Sequence, residues 1–85
     1  MAIEAAHYGE ARQTLREDRI VQGMVMGLYG VPLDDLAHPD GTPRFEFMGA
    51  ANREYAARGG TNQAHLGAVA EVLIELVKER RAAEG

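Results

Sequence analysis

Three histidines, His7, His38 and His65, are the side chains in this chain whose ordinary pKa lies nearest neutrality, so any proton chemistry starts with them. Glu4 and His7 have the i, i+3 spacing by which carboxylate-bridged di-metal bundles aim two ligands at a metal pair from one helix face. Such centres use that motif twice and add two further Glu, and this chain has it once. A metal site within one subunit is therefore not expected, and Glu4 reads as a solvated first-turn carboxylate favoured by the helix dipole. His65 falls at the edge of an apolar arc beside Val69 and Val72, where an imidazole is ordinarily satisfied by a carbonyl or a carboxylate. With no serine and no cysteine in the chain, neither of those nucleophiles can pair with it. If a small ligand binds between helices, the residues to gather around it are His65, Tyr55, Arg53 and Asn62. Asp34, Asp35 and Asp40 lack the alternating oxygen-ligand spacing and terminal Glu of a calcium loop and read as solvated loop carboxylates. No cofactor and no intrinsic catalysis are expected.

The elements that would position these residues are helical. Residues 61–83 place Leu66, Val69, Ala70, Leu73, Ile74, Leu76 and Val77 on one broad arc of a 3.6-residue wheel, with Glu71, Glu75, Lys78 and Glu79 opposite. Gly59 and Gly60 suit the stop of a preceding helix, and Thr61 or Asn62 can cap the start of this one. Lys78, Arg80 and Arg81 favour its carbonyl end. The arc is wider than a coiled-coil seam and predicts at least two neighbours.

Residues 3–29 have helix-permitting composition and contain no proline. Their stripe changes direction: Tyr8, Ala11 and Leu15 line one face, and Ile20, Val21, Met24, Val25 and Leu28 another. Either Thr14 and Glu17 form a capping box that starts a second helix, or one continuous helix touches two bodies. The absence of Gly or Pro at the change favours the continuous helix. Gly23, Gly27 and Gly30 share one flank, where close approach of another backbone would repay their cost of about 0.8–1.0 kcal/mol each relative to Ala. Residues 30–42 form a turn-rich connection: Pro32 opens a short helical turn, Pro39 closes it, and Asp40-Gly41 is a turn dipeptide. Thr42 and Pro43 then look like the cap and first residue of a helix over 43–58, with Phe45, Met48, Ala51 and Tyr55 as its stripe. A hairpin about Asp40-Gly41, with Phe45 and Phe47 on one strand face, is the competing arrangement.

Within residues 55–69, Tyr55 and Ala56 occupy the small and apolar positions of a first helix, Gly60 a turn, and Leu66 and Val69 the apolar positions of a second; Gln63, Ala64 and His65 look like a recognition-helix start. This stretch resembles a DNA-binding helix-turn-helix, which implies a DNA-binding regulator as an alternative function. Gly67 and Ala68 stand where polar or basic residues would reach base edges and phosphates.

At 85 residues the chain is one all-α domain of three helices, with roughly 60–65% of its unfolded surface to bury. It has no disulfide or Cys-based metal to staple it, which turns expectation toward oligomerisation. A net charge of -4 argues against partners recognised through phosphate neutralisation. The longest apolar run, residues 20–33, is interrupted by Gln22 and three glycines and is too short for a membrane span. No signal peptide is evident at the start, so the expected compartment is the cytoplasm. The function expected from these features is protein–protein association, as a homo-oligomer, foremost a dimer, or as an accessory subunit of a larger assembly. Leu66, Val69, Leu73, Ile74, Leu76, Val77, Met24, Val25, Leu28, Gly23 and Gly27 are the candidate interface or core residues, since the apolar faces look too many for one chain to hide.

Overall fold

The structure, a computed structural model, describes residues 4–62 and 67–84, and of residues 4–8 and 11 the backbone alone. The helices are α1 (Glu4–Glu17), α2 (Arg19–Gly27), α3 (Leu33–Leu36), α4 (Phe45–Ala57) and α5 (Ala68–Glu84). Among the described residues the only β pairing is a single antiparallel bridge between Ala37 and Pro43. The protein is all-α, with five helices among the described residues where three are predicted.

The centre is α5. Ala68, Val69, Ala70, Val72, Leu73, Ile74 and Val77 are all buried, and between them they span roughly 240° of the helix circumference. α1, α2 and α4 each pack on it, and Leu36 and Ala37 from the α3 end close over Ile74. Burying a Val, Leu or Ile side chain contributes about 1.5–3 kcal/mol, so this helix carries much of the apolar stabilisation. The described part begins at Ala68; Thr61 and Asn62 lie outside any helix, so neither is seen capping it, and residues 63–66 are outside the described set.

The single helix over 3–29 is corrected to two. Asp18 is extended (φ -73, ψ 129), and its Oδ1 accepts the Ile20 N–H at 2.8 Å, which caps α2. Thr14 and Glu17 form no capping box: the Thr14 hydroxyl donates to the Glu10 carbonyl at 3.0 Å and Glu17 accepts from Gln13 Nε2 at 2.8 Å, both within α1. The break accounts for the change of stripe, since Leu15 and the trio Val21, Met24 and Val25 reach one core from two helices.

α2 stops at Gly27. Beyond it, the carbonyls of Leu28, Tyr29 and Val31 accept from one donor, Nη2 of Arg81, at 3.4, 3.3 and 2.5 Å. In the connection, Pro32 precedes α3 as expected. The Asp40-Gly41 turn is closed by His38 N–H to the Thr42 carbonyl (2.8 Å) and Gly41 N–H to the His38 carbonyl (2.9 Å), with Gly41 at φ +93. Thr42 does not cap α4. Its hydroxyl and amide both bond Asp40 Oδ1, at 2.7 and 3.1 Å, and the cap position falls on Arg44. The hairpin is realised only as this one-bridge closure, because Phe45 and Phe47 are helical.

α4 ends as its sequence predicts. Gly59, at φ +93, donates to the Ala56 carbonyl at 3.0 Å, and Gly60 donates to the Tyr55 carbonyl at 2.9 Å, the paired bonds of a glycine-stopped helix.

Candidate functional site

Of the four candidate ligand residues, the structure joins two. Tyr55 is 2% exposed; its hydroxyl donates to Asp18 Oδ2 at 2.7 Å and accepts the Asn62 N–H at 3.0 Å. Asp18 therefore caps α2 with one oxygen and anchors the α4 tyrosine with the other. Burial, and then the hydrogen bond to Asp18, push the phenol above its ordinary pKa, while the Asn62 amide acts in the opposite direction. The phenol thus stays protonated at neutral pH and serves as a tie between three segments. Gly60 lies directly against the ring, so a Cβ added there would overlap it. Among the described residues Asn62 Nδ2 is buried without a hydrogen-bond partner.

Arg53 is elsewhere. It is exposed on the outward side of α4, with its guanidinium beside Gly49, where an added Cβ would come within 3.2 Å of Nη1. His65 and Leu66 lie outside the described residues, as do Gln63 and Ala64 of the helix-turn-helix resemblance. Of that resemblance, Ala68, Val69 and Ala70 are buried, so the described first turn of α5 faces the core. The side chains of Glu4 and His7 are likewise not described. Among the described residues no group of three or more His, Asp or Glu is disposed to hold a metal. Asp40, whose carboxyl the Thr42 hydroxyl and amide hold below its ordinary pKa, is engaged in its own turn.

Val69, Leu73, Ile74, Val77, Met24 and Val25 are buried within the one chain, and Leu28 and Leu76 are half-buried. Gly23 and Gly27 are exposed, and so is Gly30. An added Cβ at Gly27 or Gly30 would meet nothing within 4 Å, and at Gly23 only the Arg58 guanidinium at 3.5 Å. Among the described residues no backbone exploits the glycine flank. One copy thus buries most of the described residues of the faces that look like a surplus in the sequence.

Among the described residues the large apolar side chains left exposed are Phe45 (75%), Met26 (59%) and Tyr29 (37%). A shallow concavity of about 340 Å³ adjoins Phe45, lined with Glu46, Met48, Gly49 and Arg53. An open groove of about the same volume runs between α2 and α4, with Met24, Ala51 and Leu73 at its base and Gly27, Ala50 and the Glu54–Arg58 ion pair on its walls.

A set of paired charges escapes the sequence reading. Arg12 pairs with Glu71 and Glu75, and Arg16 with Glu75 at 3.0 Å and Glu79 at 2.7 Å. The acid advances along α5 as the base advances along α1, so the two helices run in the same general direction. A four-residue spacing of Arg on one helix matched to a four-residue spacing of Glu on another is the signal that was there to find.

Among the described residues no helix is long and apolar enough to cross a membrane. Among known proteins, the Gene 80 protein of Mycobacterium phage L5 is 44% identical over 79 residues, which are 89% of this chain and 86% of that protein. No protein-family model matches the chain, and no solved structure matches it.

Proposed function

We propose, for a chain that belongs to the family of the Gene 80 protein of Mycobacterium phage L5, a function in protein–protein association, as a homo-oligomer or as a small accessory subunit of a larger assembly, without catalysis of its own. The observation that carries this reading is Phe45: a phenylalanine three-quarters exposed at the start of α4, beside a concavity that the described residues leave unfilled. An aromatic anchor next to a pocket is the arrangement from which most of the affinity of a small interface comes. Met26 in the last turn of α2 and Tyr29 just past its end add apolar surface. The acidic balance of -4 favours a protein partner over duplex DNA, and the cysteine-free composition suits work in the cytoplasm.

The test replaces Phe45 with photoreactive benzoyl-phenylalanine and irradiates cells of the natural source expressing the variant. A discrete cross-linked species from position 45, and none from the same probe at the exposed position of Glu84, is the expected result, and its mass says whether the partner is the chain itself or another protein. No adduct from position 45 at any expression level would overturn the reading.

A further inference from the structure

The outward face of α4 carries a charge pattern that one copy does not satisfy. Glu46 and Arg53 are both exposed on this face, and among the described residues the side chain of neither takes part in a hydrogen bond or an ion pair. They stand seven residues apart, about 10 Å along the axis at 1.5 Å per residue, too far to reach each other within one helix. On the wheel they nonetheless fall within about 20° of one another, on a single stripe. The midpoint between them is Gly49 and Ala50, where the helix presents almost no side chain.

Resting on the association reading above, we infer that a second copy of this chain covers this face, α4 packing antiparallel on α4 about a two-fold axis at Gly49 and Ala50. The pattern is complementary to itself under that rotation and under no parallel arrangement in the same register, which would set like charge on like. Arg53 of each copy then lies alongside Glu46 and Phe45 of the other, forming two reciprocal ion pairs and setting each guanidinium against an otherwise exposed ring. The glycine at the crossing lets the axes approach closely, and the guanidinium beside Gly49 in the single chain is the flexible group that swings out to make the contact. A helix of 13 residues is about 20 Å long and offers less than the roughly 800 Å² per partner of a standard interface. The dimer is accordingly expected at micromolar, not nanomolar, concentration.

Charge reversal tests the geometry. Sedimentation equilibrium at 5–200 μM, a range of about 1.5 decades, should show the natural chain dimerising, and Glu46→Arg or Arg53→Glu alone should raise the dissociation constant at least tenfold. Mixed one to one, the two single variants should form a heterodimer that neither forms with itself, because each supplies the charge the other lacks; the double variant should regain the natural constant. Circular dichroism melts of each single variant verify that it folds. Gly49→Gln serves as a second probe of opposite sign, since it should raise the melting temperature of the monomer by improving helix propensity while blocking the dimer. Association that is indifferent to both reversals and to Gly49→Gln would overturn this geometry and leave the association reading standing. A single 9.2 kDa species across the range would overturn the second copy as occupant, and together with an empty cross-link from position 45 it would overturn both.

Discussion

α1 and α2 lie against the same central helix and differ in what holds them there. α2 sends Val21, Met24 and Val25 into the core, and its end is tied down by the Arg81 guanidinium. Among the described side chains of α1 one is fully buried, Leu15, and the others that hold α5 do so through the ion pairs of Arg12 and Arg16. These pairs are partly solvated, with side chains between 24% and 57% exposed, and a pair of that kind contributes about 0.2–1 kcal/mol in water. An apolar side chain buried on α2 contributes about 1.5–3 kcal/mol. As far as the described side chains go, Asp18 divides a stretch bound by exclusion of water from one bound in large part by charge, so the two should respond to different perturbations.

The largest effect is expected where α1, α2 and α4 depend on the same residue. Leu73 is fully buried on α5, inside the cluster shared by α1, α2 and α4. Leu73→Asp puts an unpaired charge there, at a cost of several kcal/mol, which exceeds what a domain of this size has to spare. The expected result is loss of the cooperative melt, followed by circular dichroism. A soluble variant with an unchanged melt would erase the contrast, because α5 would no longer be the common support.

Much of that support was legible in the sequence. The breadth of the arc over Val69 to Val77 announces a helix gripped from several sides, and Gly59-Gly60 announces the stop of α4, because both signals are local. The change of stripe between Leu15 and Ile20 signals a break as one of two arrangements, but the cap at Asp18 is not legible. Asp18 caps α2 while its second oxygen receives a hydroxyl from Tyr55, 37 residues away, and no local signature contains that partner. The charges of α5 were misread for the same reason: Glu71, Glu75 and Glu79 look like a solvated face until α1 is laid over them. Of the candidate ligand set, Tyr55 and Asn62 do meet, and the role that the geometry gives the phenol is structural.

Glycines sharpen the comparison at the next level of effect. The sequence reads Gly60 as part of a helix stop and Gly23 as part of a close-approach flank; in the structure Gly60 touches the corner that anchors α2, and Gly23 faces outward. Gly60→Ala drives a methyl into the Tyr55 ring, which is held on both sides by Asp18 and Asn62, and should destabilise by about 1–3 kcal/mol, as overpacking does. Gly23→Ala, in a helix interior with only a flexible guanidinium at 3.5 Å, should stabilise by about 0.5–1 kcal/mol. Urea unfolding of the two variants measures both. Effects of the same sign would mean that the corner is not the tie between α2 and α4 that the hydrogen bonds describe.

The smallest effect separates α1 from α2 directly. The Arg16 hydrogen bond holds the Glu79 carboxyl below its ordinary pKa, and Arg16 is correspondingly raised. A carboxylate lowered in the folded state contributes stability above its unfolded pKa, about 4.3, and loses it as pH falls through the lower folded value. Acidification from neutrality toward pH 3 should therefore loosen α1, and Glu79→Gln should flatten part of that slope. At 1 M salt the Debye length shrinks to about 3 Å, and the partly exposed pairs should weaken without acid. Amide hydrogen exchange reads both treatments helix by helix: α1 amides should lose protection in salt while those of α2 keep theirs, since burial of Val21, Met24 and Val25 does not depend on screening. Equal loss in the two helices would show that the break at Asp18 separates shapes and not modes of attachment. Unchanged protection in α1 would assign its hold to Leu15 and leave the ion pairs as passengers.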